Sequence, residues 1–480
     1  MTASTPSRSF LAPLIHLSNN WLSLIGVVIV TSATVSWLFL LPTTLKGQVN
    51  HPYVGILVYL LLPAIFALGL ILIPLGMLWQ RRRENRKALY PQSFPPLSWA
   101  NPDFRRLAMF VLITTLANFI IGSQFAYGAV NYMDSVQFCG ATCHVVMQPE
   151  YAAYQNSPHS RVECAACHIG PGASWFVKSK LSGTGQLFAV MFNTYPRPVP
   201  SPVQNLRPAR ETCEVCHWPQ RMSTDPVRVV PHYAEDAANT ATKTVLLLKV
   251  GGRNRAASIH GMHVGEVVSI RYAPSDESRQ TIPWVEYTSA DGKKTAYSAD
   301  PKSPGPGNLP IREMDCIDCH NRPSHAFELP DRALDQALAA GSISPSLPFV
   351  KKEGLALLKK PYASQEEAAL QIPAALTAFY QKSSPDTLQK DRALIDNAGK
   401  TLVAIYQRNV FPAMKVNWGT HPNNIGHTDF PGCFRCHDNS HTSVQKTTIS
   451  QDCNSCHNVL AVEEANPKIL TDLGIAGAAQ

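Results

Sequence analysis

Residues 139–168 read Cys139-Gly-Ala-Thr-Cys143-His144-Val-Val-Met147-Gln-Pro-Glu-Tyr-Ala-Ala-Tyr-Gln-Asn-Ser157-Pro-His159-Ser-Arg-Val-Glu-Cys164-Ala-Ala-Cys167-His168. Two cysteine pairs, each closed by a histidine, stand within thirty residues. The same C-x-x-C-H spacing returns at Cys213/Cys216/His217, Cys316/Cys319/His320, Cys433/Cys436/His437 and Cys453/Cys456/His457. All 12 cysteines are thereby used, and the pair at Cys139/Cys143 has one extra residue between its thiols. Histidine is 16 of 480 residues, so six such adjacencies lie far outside chance.

The chemistry explains the pattern. C-x-x-C-H is the attachment sequence of haem c. The two thiols form thioethers to the haem vinyl groups, and the adjacent histidine turns under the ring to bind iron. Disulfides would suit an exported chain, but they do not require a histidine after each second cysteine. Structural zinc needs four ligands from paired half-sites, which this spacing does not supply. Six haems c are therefore expected, with His144, His168, His217, His320, His437 and His457 as proximal ligands.

Six irons call for six further ligands. Ten histidines lie outside the motifs. His159, His260, His263, His325, His427 and His441 are the distal candidates, and Met147 is a candidate for the first haem, whose potential a thioether would raise. His232 and His421 read equally well as surface or hydrogen-bonding residues.

Outward from the motifs, the chain changes character. Trp21–Leu41, Tyr53–Trp79 and Leu107–Val130 carry no charge, and each is long enough to cross ~30 Å of hydrocarbon as a helix. Between the second and third runs lie Arg81, Arg82, Arg83, Arg86, Lys87, Arg105 and Arg106, against only Lys46 between the first and second. Basic loops stay cytoplasmic. The expectation is an inner-membrane anchor with a cytoplasmic N-terminus and a periplasmic haem domain. Asn118 and Gln124 in the third run read as helix–helix hydrogen-bonding groups, and His16 and His51 as interfacial.

The net charge of +8 belongs to the anchor: residues 1–130 hold nine Lys/Arg and two Asp/Glu, the remainder 33 and 32. That removes the basic face a nucleic-acid-binding domain needs. Thr244–Val250, Glu266–Tyr272, Thr281–Thr288 and Lys294–Ala299 are strand-like. Residues 331–408 have helical composition, with breaks expected at Pro361, Pro373 and Pro385. The stretch 164–210 holds no acidic residue but has Lys178, Lys180, Arg197, Arg207 and Arg210 among aromatic and apolar side chains, as a segment lying on an anionic membrane surface would.

The fold expected is a membrane-anchored multihaem cytochrome c: three transmembrane helices, then a haem-packed, mostly helical or irregular periplasmic domain with a small β insert. Its parts are a three-helix anchor over 1–130, a region with three haem motifs over 131–225, a ligand-supplying β insert over 226–300, and a haem and helical region with three motifs over 301–480.

A membrane anchor running into an atypical first motif with a nearby methionine, then Ser157-Pro-His159, then Cys164-Ala-Ala-Cys167-His168 with a following Gly-Pro turn, resembles the NapC/NirT family of membrane-anchored multihaem cytochromes. The match covers roughly residues 107–220. The resemblance implies quinol oxidation at the periplasmic face and electron delivery to a periplasmic cytochrome or reductase. It implies that Cys139, Cys143 and Met147 belong to the haem nearest the membrane, that His159 is a distal ligand, and that Lys178 or Lys180 faces the quinol. Three apolar runs and six motifs exceed the usual pattern of that family. The alternatives are a non-catalytic electron-transfer subunit of a larger respiratory complex, and a terminal reductase of a small nitrogen compound.

Overall fold

In the computed structural model, the described residues are 11–34, 61–91 and 102–475, apart from 19, 24, 32, 143, 171, 204–205, 219–223 and 252–256. They form two units, Met1–Phe138 and Cys139–Gln480.

In the first unit the helix Leu62–Arg86 is the one described helix with the length and apolarity to cross a membrane. It runs past the apolar stretch into the basic residues, where Arg83 lies over the Trp79 ring at 5.5 Å. This is how a long cationic side chain covers apolar surface while its head reaches water. An apolar helix, Trp21–Thr31, packs beside it. Glycines permit the approach: a Cβ on Gly26 would meet the Gly69 carbonyl oxygen at 2.8 Å, and one on Gly76 would meet the Ser23 backbone. Small residues at a crossing let backbones close up where no hydrophobic force drives helices together. Ser23 Oγ donates to the Ile73 carbonyl at 2.9 Å, and His16 Nε2 meets Glu84 Oε2 at 3.0 Å. The helix Pro102–Asp134, of 33 residues, contains the third apolar run. Residues 35–41 of the first run, 53–60 of the second, and His51 lie outside the described residues.

The second unit has a helical part and a mixed part. The helices Pro330–Ala339, Val350–Lys359, Gln365–Ser383, Pro385–Lys390 and Arg392–Asn409 enclose a core that includes Leu334, Leu338, Leu358, Ile372, Leu376 and Leu402, all 2% exposed or less. The expected break at Pro373 does not occur: the helix Gln365–Ser383 continues through it. The crossing helix offers Gly399 there, whose Cβ would sit 3.2 Å from Pro373. Tertiary packing thus overrides the local penalty of a mid-helix proline. Pro385 does start a new helix, at its first turn, where proline costs no hydrogen bond.

The strands make two antiparallel sheets rather than one insert. Strands β1 (Val227–Tyr233), β2 (Ala241–Leu248) and β8 (His457–Glu464) form the first, in the order β1-β2-β8. Strands β3 (Ser269–Ala273), β4 (Trp284–Thr288), β5 (Lys294–Ser298), β6 (Arg312–Glu313) and β7 (Thr442–Ser443) form the second, in the order β6-β3-β4-β5-β7. Each sheet recruits a strand from beyond residue 440, so residues 226–300 do not close on themselves. Pro231 sits in β1, an edge strand, where its missing N–H is tolerated.

One buried charge cluster joins the two parts. Lys351, 0% exposed, places Nζ 2.6 Å from Asp335 Oδ1 and 2.9 Å from Asp331 Oδ1. Asp335 also accepts from the Tyr233 backbone N–H at 3.1 Å and lies 3.3 Å from His232 Nδ1.

Candidate haem-binding chain

The attachment sequences fold locally as short helical turns, which bring their two cysteines onto one side. Cys164–His168 and Cys316–Cys319 are α-helical, while Gly432–Arg435 and Cys453–Ser455 are 3-10 turns. Asp315 caps Cys316–Cys319 in a reciprocal capping box with Asp318, which satisfies two otherwise orphan backbone donors. The same carboxylate accepts from the Ala209 backbone N–H at 2.9 Å and so links the third motif to the fourth. Gly432 precedes Cys433 at φ +48°, and a Cβ there would run into the Gly426 carbonyl. Only glycine combines that conformation with that approach.

The motifs follow one another in space as they do in sequence. Cys164 shares a hydrogen bond with Cys139, and Cys213 shares one with Cys316. Cys167 neighbours Cys213, Cys319 neighbours Cys433, and Cys433 neighbours Cys456, each pair near enough to interact electrostatically. First to second, second to third, and on to the sixth, each step joins consecutive motifs.

Five motif histidines each face one histidine from elsewhere. Ring centroids are 6.2 Å apart for His168 and His325, 5.8 Å for His217 and His159, and 6.4 Å for His320 and His260. They are 5.8 Å apart for His437 and His263, and 6.2 Å for His457 and His427. A metal–imidazole bond is about 2 Å and the ring centre lies about 1.1 Å further on, so two imidazoles on opposite sides of one metal stand about 6 Å apart. All five pairs have that spacing.

Their second nitrogens are oriented accordingly. Nδ1 meets a backbone carbonyl in His159 (Pro323, 3.2 Å), His260 (Gly251, 3.1 Å), His263 (Ile259, 2.8 Å), His325 (Glu150, 3.0 Å) and His437 (Ser450, 2.8 Å). A carbonyl only accepts, so Nδ1 carries the proton and Nε2 keeps its lone pair for a metal. Burial lowers the pKa of His168, His263, His320, His325 and His457, and the facing imidazole lowers it further in all but His325. Neutral imidazole is the ligating form.

The remaining expected residues are placed differently. His441, expected as a distal ligand, is 2% exposed, with Nδ1 2.9 Å from Asp438 and Nε2 2.7 Å from the Ile282 carbonyl. Both of its nitrogens are taken, and among the described side chains it faces no motif histidine. His421 stacks on Phe327 at 5.8 Å, and His232 belongs to the Asp335 cluster. Met147 sits half-buried on the helix His144–Gln155. Lys178 is exposed, with Nζ 4.6 Å over the Trp175 ring. Cys143 and the side chains of His144 and Lys180 lie outside the described residues.

Sequence reading gave no sign of the positioning groups. Glu150 supplies the carbonyl for His325, and its carboxylate takes both bonds from Arg322 Nη2, at 3.0 and 3.1 Å. Backbone carbonyls have no sequence signature. The Arg–Glu pair would have been visible only with the fold in hand, because its members are 172 positions apart.

Residues 102–198 match the N-terminal region of the NapC/NirT cytochrome c family. The chain is 40% identical over 454 residues to "Cytochrome c-type protein ImcH" of Geobacter sulfurreducens, covering 93% of this chain and 89% of that one. No solved structure matches. With paired cysteines, facing imidazoles and a relative alike over nearly its whole length, the chain is a cytochrome c-type electron-transfer protein and belongs to the NapC/NirT cytochrome c family.

Proposed function

We propose that the chain oxidises membrane quinol and passes the electrons through six haems c to a periplasmic cytochrome or reductase. The observation that carries this is the set of five facing imidazole pairs on motifs that succeed one another from Cys139 to Cys456. The thioether cysteines are Cys139, Cys143, Cys164, Cys167, Cys213, Cys216, Cys316, Cys319, Cys433, Cys436, Cys453 and Cys456. The histidines that would hold iron are the facing pairs His168/His325, His217/His159, His320/His260, His437/His263 and His457/His427, with His144 and Met147 proposed for the first haem. Haem so bound supplies one-electron exchange between Fe(III) and Fe(II).

The chain's own residues do the rest. Carbonyls of Glu150, Gly251, Ile259, Pro323 and Ser450 hold imidazole planes and tautomers. Two imidazole nitrogens at each of five haems would leave no position for a small substrate there, which favours electron transfer over a reductase. Quinol gives up two electrons and two protons, and entry is proposed at the first motif, which follows the apolar helix Pro102–Asp134 closely in sequence. Lys178 and Lys180 are the proposed quinol-side residues. Three membrane spans, a cytoplasmic N-terminus and a periplasmic haem domain complete the reading. Its support is the apolar helix Leu62–Arg86, the helix Pro102–Asp134, and the basic residues between them.

The test is the visible spectrum of the detergent-solubilised protein before and after a menaquinol analogue. Reduction of the haem bands by quinol alone is expected. Bands that respond to dithionite but not to quinol would transfer quinol oxidation to a partner subunit, and absence of c-type bands in a maturation-competent host would overturn the reading.

A further inference from the structure

The fifth attachment sequence is Cys433-Phe434-Arg435-Cys436-His437, yet Phe434 lies against a residue of the sixth group. Its ring stacks on His427 at 4.1 Å between centroids and 12° between planes. His427 in turn faces His457 at 23°. The other four facing pairs are tilted by 68°, 53°, 40° and 49°.

The sixth pair also differs in what holds it. An imidazole bound to a metal through one nitrogen can still rotate about that bond, and a hydrogen bond at the other nitrogen normally stops it. In each of the other four pairs at least one ring has Nδ1 on a backbone carbonyl. Among the described residues no hydrogen bond holds His427, and His457 Nδ1 is buried without a partner. A flat aromatic face at van der Waals distance is the restraint that remains.

We propose that Phe434 is a positioning residue. It sets the ring plane of His427, as the carbonyls do elsewhere, and so gives the sixth haem nearly parallel axial imidazoles. This rests on the axial-ligand reading above. The consequence is electronic. Parallel planes donate into the same iron d orbital and split the pair of π-symmetry orbitals, whereas strongly tilted planes leave that pair nearly degenerate. Because Phe434 is covalently part of the fifth attachment loop, it also ties the sixth haem's distal ligand to the fifth haem's seat.

The test is low-temperature electron paramagnetic resonance on the oxidised, fully loaded chain in detergent. Wild type is expected to show, as its low-spin component of smallest g anisotropy, a rhombic signal from about one haem per chain, beside progressively more anisotropic signals from the pairs tilted by 40° to 68°. Phe434→Leu keeps apolar volume but loses the flat face. It is expected to lose the rhombic component with haem content unchanged, and Phe434→Tyr is expected to retain it. Three results would overturn the proposal: no rhombic component in wild type, the same component in Phe434→Leu, or a haem lost from Phe434→Leu. His427→Ala separates the two claims. If that variant keeps every haem six-coordinate, the ligand assignment itself fails, whatever Phe434 does.

Discussion

The short helix Ile259–Val264 carries two histidines three residues apart, and the structure turns them to different motifs. His260 faces His320 at 6.4 Å, and His263 faces His437 at 5.8 Å. Replacing His263 by Ala should therefore open the fifth haem and no other. Alanine is the best helix former, and the cap from Ser258 Oγ to the Gly261 N–H is untouched, so the helix should persist. His260 cannot substitute, because its Nδ1 is held by the Gly251 carbonyl at 3.1 Å while its ring faces His320. Carbon monoxide titration of the dithionite-reduced protein reads the result. His263→Ala should bind ~1 equivalent more than wild type, visible as a shift of about one sixth of the Soret intensity. His260→Ala should do the same, and the double variant should bind ~2 equivalents more. An uptake equal to wild type in His263→Ala, or only one added equivalent in the double variant, would refute the pairing.

Two further expectations concern stability. Lys351→Met leaves Asp335 buried without its ammonium partner, and breaking a buried pair from one side costs about 3–5 kcal/mol. Denaturant unfolding followed by tryptophan fluorescence should show it, Lys351→Met/Asp335→Leu should recover part, and a loss below ~1 kcal/mol would show that the cluster contributes little. Burial, then the charge of Arg322, holds His421 down to about 4, against ~6.5 in an unfolded chain. Between those values the unfolded state binds a proton there and the native state does not. Stability is then full above pH 6.5 and falls as pH drops toward 4, by at most ~3 kcal/mol. His421→Phe, stacking on Phe327, should flatten that part of the pH profile, and an unchanged slope would assign it to other groups.

What the sequence made legible is what local chemistry encodes. Thioether attachment needs its two thiols and its histidine side by side, so the spacing at Cys164, Cys213, Cys316, Cys433 and Cys453 is readable without a fold. The distal partners come from anywhere in the chain. His325 and His168 are 157 positions apart, and nothing near His325 marks it as belonging to the second motif rather than the fourth, which it follows by five residues. His441, another histidine outside the motifs, has local partners that the sequence does not display: Asp438 and the Ile282 carbonyl hold its two ring nitrogens. The strand-like segments between 241 and 298 were visible from their β-branched residues. That β8, opening at His457, would pair with β2 was not, because register across more than 200 positions is set by packing. Pro373 misled for a similar reason: its cost is local, and the room made for it by Gly399 is on another helix.

The facing histidines also bear on how the chain is held together. Among the described residues, the buried clusters of the mixed part of the second unit are small, such as Ile270, Tyr272, Ile282 and Val285, or Val245, Ala461 and Leu470. Clusters of that size offset little chain entropy. Each iron gripped from both sides would instead be a cross-link, and two of them, His168/His325 and His263/His437, would close loops of more than 150 residues. Cross-links of that span remove the most freedom from an unfolded chain. Electron carriers and staples would then be the same atoms, and oxidising or reducing the wire would act on bonds that also hold its casing shut.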